Sequence, residues 1–181
     1  MLNLTPATQE FIIHFGKMGA RWGVNRTVAQ IHALLYISPR PLNAEEISET
    51  LSVARSTVST GLHELQSWNL VRIVQVLGDR RDHFETISDV WEMMRAIVDE
   101  RKRRELDPTL QMLREATAEL GESSEEESYA KERLLEMLDC YETIAAFYAQ
   151  LEKLPTGALV KIAKMGDVVR KLLGSSSSSG Q

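Results

Sequence analysis

A mainly helical fold carrying one small β-hairpin is what this sequence predicts, and three observations predict it. Apolar residues recur at helical spacing through most of the chain, as in Phe11, Ile12, Phe15 and Met18, or Val28, Ile31, Leu34 and Leu35. A β-branched run, Val71, Ile73, Val74 and Val76, leads through polar Gly78-Asp79-Arg80-Arg81-Asp82 to a return segment, Phe84 to Ile87. Helix starts are marked by side chains that can accept from free backbone N–H groups, among them Thr5 before Pro6 and Asn43 three residues before Glu46.

Taken in order, Thr5-Pro6 opens a first amphipathic helix that Gly16, Gly19 and Gly23 interrupt or end. Asn25 opens a second, with Val28, Ile31, Leu34, Leu35 and Ile37 as core, closed by Pro39 and Pro41. A third starts at Asn43, with Leu42 stapled against Ile47. A fourth runs from Ala54 to about Ser67. It sets Ala54, Val58, Leu62 and Leu65 inward and Arg55, Ser56, Ser59, Thr60 and His63 outward. Gly61 lies at the edge of the inward stripe, where a missing Cβ lets a neighbouring helix approach closely, although glycine inside a helix costs about 1 kcal/mol relative to alanine.

Helix, tight turn, helix and charged hairpin, from Asn43 to Ile87, make the outline of a winged helix-turn-helix. A helix of this shape fits the major groove of B-DNA, and the hairpin tip can carry arginines to phosphates or the minor groove. Arg can hold guanine O6 and N7 with two hydrogen bonds, while serine and threonine hydroxyls more often fix phosphates. The candidate DNA contacts are therefore Arg55, Ser56, Ser59, Thr60 and His63 on the helix and Arg80 and Arg81 on the hairpin. Read blandly, the helix residues are a solvated polar face, and the two hairpin arginines are turn charges paired with Asp79 and Asp82.

After the hairpin, Ser88 or Asp89 caps a helix with the stripe Val90, Trp91, Met94, Ile97 and Val98, followed by the basic run Arg101 to Arg104. That run reads as a solvated face or a partner of the glutamate-rich segment ahead of a DNA contact. Asp107-Pro108 restarts a helix containing Leu110, Leu113, Ala116 and Leu120, and 121–128 is an acidic, exposed loop. From Tyr129 to Leu154, Leu134, Met137, Tyr141, Ile144, Tyr148 and Leu151 alternate steps of three and four, the seam spacing of a coiled coil. Such a helix runs roughly 39 Å, and a second subunit is the natural partner for it. The last helix, Leu159 to Leu173, carries Ile162, Met165, Val169 and Leu172, and a serine-rich, disordered tail follows. The expected organisation is residues 1–88 as a winged helix-turn-helix domain, 89–173 as a helical linker and dimerisation region, and 174–181 as the tail.

Composition limits the function. At 181 residues and 43% hydrophobic, the chain suits one domain with a helical extension or two small domains sharing a core. Its one cysteine, Cys140, rules out an internal disulfide framework and suits a reducing, cytoplasmic setting. No apolar run approaches the roughly 18 residues of a membrane span. The net charge of −5 weighs against a general DNA clamp. Between Pro39 and Ile87 five arginines face seven carboxylates, so any basic patch must come from arrangement. The histidines, His14, His32, His63 and His83, lack metal-ligand spacing, and no phosphate loop or nucleophile elbow is present, so no catalysis, cofactor or metal is expected.

Several blocks resemble the MarR-type winged-helix repressors, in the branch of the glycine-betaine and choline sensor GbsR. They are Phe15-Gly16, Arg21 to Gly23, Arg26 through Ile37, Leu51 to Trp68 with its Val58-Ser59-x-x-Leu62-x-x-Leu65 pattern, Gly78-Asp79-Arg80-Arg81-Asp82, and Arg103 to Pro108. Ala54 stands where that family commonly has Ser or Thr, and His83 where it commonly has Tyr. The resemblance implies a homodimeric repressor on a palindromic double-stranded operator, with the helix beginning near Ala54 in the major groove. It also implies a small-molecule effector, with a quaternary amine the suggested class. Aromatic faces attract such cations, and Trp22, Tyr36, Trp68, Trp91, Tyr141, Phe147 and Tyr148 are the pool of rings, although core packing is the more frequent reason for each. The competing reading is a winged-helix protein-interaction module without specific DNA binding, to which the acidic balance points.

Overall fold

The computed structural model describes residues 2–120 and 124–166, in two compact units, 1–98 and 99–181. In the first, α1 (Pro6–Arg21) starts on Thr5, whose Oγ1 accepts from Thr8 N–H at 3.3 Å. Gly16 and Gly19 do not break the helix, contrary to the sequence expectation; they are its contact face. A Cβ on Gly19 would lie 2.5 Å from the Cβ of Ala29 in α2 (Arg26–Ile37), so the two helices meet only because that position is bare. Of the apolar residues recurring along α1, Ile12 is buried and Phe15 is exposed beside Phe11, with ring centroids 4.4 Å apart.

Helix α2 begins at Asn25, whose Oδ1 accepts from Thr27 N–H at 2.8 Å, and is buried nearly all round by Val28, Ile31, His32, Ala33, Leu34 and Leu35. A helix apolar on nearly every side belongs at the centre of a domain, and α1, α3, α4 and β3 pack against it. His32 is the polar exception. Thr86 donates its hydroxyl to the Leu70 carbonyl at 2.8 Å, so the 3.0 Å contact from His32 Nε2 is an N–H donated to Thr86 Oγ1.

Strand β1 (Leu42–Asn43) leads directly into α3 (Ala44–Leu51) through a complete capping box. Asn43 Oδ1 accepts from Glu45 and Glu46 N–H at 3.1 and 3.0 Å, and Glu46 Oε2 accepts from Asn43 N–H at 3.0 Å. Leu42 and Ile47 are both fully buried in one cluster, as a hydrophobic staple requires. Helix α4 (Arg55–Ser67) buries Val58, Gly61, Leu62 and Leu65. Ala54 is a correction: it is the exposed N-cap and packs nothing. Gly61 does what its position predicts, since a Cβ there would stand 2.7 Å from Ile31 Cδ1.

The wing is β2 (Val71–Val76) and β3 (Asp79–Thr86), antiparallel, with β1 on the far side of β3 in the order β1-β3-β2. Its turn is tighter than the five-residue tip expected: Leu77-Gly78 makes it, with Gly78 at φ 88°, where other residues are strained. The pairing then jumps from Val76↔Asp79 to Val74↔His83, so Arg80, Arg81 and Asp82 face only Gln75 and bulge out of the ladder.

Helix α5 (Val90–Arg101) is capped by Asp89, whose Oδ1 accepts from Trp91 and Glu92 N–H at 2.8 and 3.0 Å. Its predicted stripe divides, with Ile97 on the core side and the other four residues facing away from it. Met93 is buried with Ala96 and Ile97 against it, while Val90, Trp91, Met94 and Val98 are exposed.

In the second unit a π-helical turn, Lys102–Leu106, leads into α6 (Asp107–Glu119). Leu110 and Leu113 are buried there, on a helix that packs with α7 (Glu125–Glu152). Ser124 caps α7, so Glu125, Glu126 and Glu127, expected in a loop, form its first turn, where negative charge favours the helix dipole. Arg114 reaches Glu142 Oε1 at 2.8 Å, tying α6 to α7. No residue of α7 is fully buried. Leu134, Tyr141, Tyr148 and Leu151 are half-buried, whereas Met137 and Ile144 are 50% and 47% exposed. Helix α8 (Thr156–Lys164) begins earlier than expected; Val169, Leu172 and the serine tail lie outside the described residues.

Candidate nucleic-acid interface

The outward residues of α4 divide between two clefts. Arg55, Ser59 and His63 recur every four residues, so one flank of the helix carries all three. With Gln66 they form one wall of a cleft of about 430 Å³ whose other wall is the wing, through Ile73, Arg80, Arg81, Asp82 and Phe84. Asn43, Ala44 and Glu45, from the start of α3, complete the lining. Ser56 and Thr60 fall on the opposite flank, in a shallower recess of about 300 Å³ shared with Asn25 and Thr27 at the start of α2. Thr60 donates its hydroxyl back to the Ser56 carbonyl at 3.1 Å, which leaves its oxygen as an acceptor.

The charge arrangement is informative. Of the five arginines between Pro39 and Ile87, three are held by carboxylates. Arg40 lies 2.5 Å from Glu46, and Arg72 lies 2.6 Å from Glu85 across the strand pair. Arg81 engages two carboxylates, Asp79 at 2.5 Å and Glu45 at 3.2 Å. Its hydrogen bonds and those of its backbone N–H hold the Asp79 carboxyl well below the usual carboxylate range, and Asp79 in return raises the guanidinium above its ordinary value. Beneath them, buried His83 donates Nδ1–H to the Arg81 carbonyl at 3.0 Å, with Nε2 3.5 Å from Asp79. Arg55 and Arg80 remain, one on each wall of the cleft, exposed and without a carboxylate partner among the described residues.

Three lining residues escaped the sequence reading. Gln66 was findable, being three residues beyond His63 on the same flank. Glu45 was not, because its neighbour Arg81 is 36 positions away. For Asn43 the sequence shows only the cap; its Nδ2 is buried with no hydrogen-bond partner among the described residues.

The remaining candidates lie elsewhere. The basic run pairs locally, Arg101 with Glu105 at 3.0 Å, Lys102 with Asp107 at 2.9 Å and Arg103 with Glu100. Of the aromatic pool, Trp22, Tyr36, Trp68 and Trp91 belong to the first unit and Tyr141, Phe147 and Tyr148 to the second. Tyr36 stacks on Phe11, centroids 6.4 Å apart, and the Lys102 ammonium lies 5.7 Å from the Tyr148 ring centroid, where an external cation would sit. Among the described residues no cluster of His, Cys, Asp or Glu is placed to hold a metal, and no helix is long and apolar enough to cross a membrane.

Residues 22–82 match the MarR family. The chain is 24% identical over 136 residues to the HTH-type transcriptional repressor GbsR of Bacillus subtilis (strain 168), covering 74% of this chain and 75% of that protein. The crystal structure of a transcriptional regulator, 20% identical, superposes with a TM-score of 0.66 over 86% of this chain and 99% of its own, which shows the shared fold. The matched residues take in α2, α3, α4 and the wing as far as Asp82, so it is in the helix-turn-helix and the wing that this chain is similar to the MarR family.

Proposed function

We propose that this protein is a cytoplasmic, homodimeric transcriptional regulator that binds a palindromic double-stranded DNA operator and represses from it. One observation carries the reading: among the described residues, pairing within the chain uses up three of the arginines around the helix-turn-helix and leaves Arg55 and Arg80, which line opposite walls of one cleft. An acidic protein with two free cations so placed is suited to reading DNA at a few points ahead of gripping it everywhere. Ser59 and His63 line the same cleft and would work beside Arg55. Ser56 and Thr60, on the other flank, would meet the backbone. Repression is carried over from the relative, GbsR.

The test is binding to the DNA upstream of its own gene and to unrelated DNA over a salt series. Specific binding is expected, and Arg80→Ala should flatten the plot of log affinity against log salt by about one unit. Indifference to sequence and to this substitution would favour a protein-interaction module.

Dimerisation is proposed through α7, along Leu134, Met137, Tyr141, Ile144, Tyr148 and Leu151. A helix of about 42 Å that buries none of its residues within its own chain is completed by a second copy. Met137, Ile144 and Phe147, 50%, 47% and 64% exposed, mark the uncovered side. Ile144→Glu is expected to dissociate the dimer in sedimentation, whereas an undisturbed dimer would put the interface elsewhere. A small-molecule effector, with quaternary amines the class to titrate by thermal shift, completes the proposal.

A further inference from the structure

Arg81 differs from the other two cations of the cleft in being already engaged, and its two carboxylates differ in origin. Asp79 lies two residues back on the same strand, and its Oδ1 also accepts the Arg81 backbone N–H at 3.0 Å, so it belongs to the wing's own geometry. Glu45 comes from the first turn of α3 and reaches across to Arg81 Nη1 at 3.2 Å. Its neighbour Glu46 is turned away, onto Arg40 and the Asn43 N–H. Glu45 is 53% exposed on its side chain and lines the cleft that, on the reading above, receives DNA.

A carboxylate accepting from an arginine fork offers it what a phosphate offers, anionic oxygens at hydrogen-bond distance. We propose that Glu45 is an internal stand-in for a DNA phosphate: it occupies Arg81 in the free protein, and DNA gains that arginine only by displacing it. This rests on the DNA-binding reading. The exchange is nearly balanced when a bound operator delivers a phosphate to Arg81. It is lost on DNA whose backbone is out of register, which meets a neutralised arginine and a neighbouring negative charge. Non-specific binding is almost wholly electrostatic, so Glu45 weakens it more than it weakens operator binding and thereby widens discrimination.

The full-length protein with Glu45→Gln tests this. The substitution is isosteric and exposed, and thermal melting checks that the variant is folded. Exposed ion pairs of this kind are weak, so binding to unrelated DNA is expected to tighten about two- to fivefold at low salt. The salt dependence should steepen by about 0.9 unit, and the ratio of operator to unrelated affinity should fall. The gain must disappear in the double variant Glu45→Gln/Arg81→Ala. With Glu45 in place, Arg81→Ala should weaken binding less than Arg80→Ala. Unchanged affinity and slope in Glu45→Gln, or a gain that survives in the double variant, would overturn the proposal while leaving the DNA reading intact. A wild-type protein that binds no DNA would overturn both.

Discussion

Acidification from pH 7 to pH 4 is expected to destabilise the first unit by on the order of 3 kcal/mol through His32 alone. His32 is 9% exposed on α2, and burial lowers its pKa from 6.5 to about 4, because a charged imidazole there would lose its water. The unfolded chain takes up a proton as pH falls through 6.5, and the folded chain does not until about 4. The stability contributed by neutral His32 is therefore complete above pH 6.5 and is lost progressively as pH falls towards 4. The neutral ring is also what the geometry uses, since its Nε2–H feeds the Thr86 hydroxyl that holds the Leu70 carbonyl. Glu46 and Asp79 also have lowered values, but theirs fall from 4.5 and 3.8, so acid acts on them at lower pH. Urea unfolding at pH 7 and pH 5.5 isolates the histidine. His32→Gln keeps a donor and should flatten the dependence across that interval; an equal loss in the variant would assign the effect to other groups.

Arg55→Ala is expected to remove about 1–3 kcal/mol of discrimination between the operator and a copy with one guanine replaced, roughly five- to 150-fold. The residue sits at the first position of α4, the end of a recognition helix that reaches base edges, and no ion pair among the described residues restrains it. Its loss should leave stability almost unchanged, because it is exposed and caps nothing. Arg80→Ala, by contrast, should weaken binding to all sequences alike. A uniform loss in both variants would mean that Arg55 touches phosphate and reads no base.

The features legible in the sequence were those set by near neighbours. The caps at Thr5, Asn25 and Asn43 satisfy backbone groups two or three residues away, and the bare position at Gly61 follows from its place on the buried stripe of α4. What was missed depends on partners distant in sequence. The periodicity of α5 groups Val90, Trp91, Met94, Ile97 and Val98, but periodicity does not say which side meets the core: Ile97 packs against it, Met93 is buried there, and the other four are exposed. The short wing turn is not legible in the sequence because the bulge at Arg80 to Asp82 is a property of register between two strands. The glutamates at 125–127 looked like a solvated loop until Ser124 and the helix dipole gave them a role. In the candidate site the face of α4 was readable as a set. Its division between two clefts, and the hold of Glu45 on Arg81, required the folded positions of α2, α3 and the wing.

The central claim is tested most directly by chemical protection of guanine N7 on DNA from upstream of the gene, bound by the full-length protein. Two protected blocks are expected, their centres about 10 base pairs or a multiple apart as a symmetric dimer on B-DNA requires, and both should vanish together in Arg55→Ala. A folded protein that protects no guanine at any salt concentration would contradict the account.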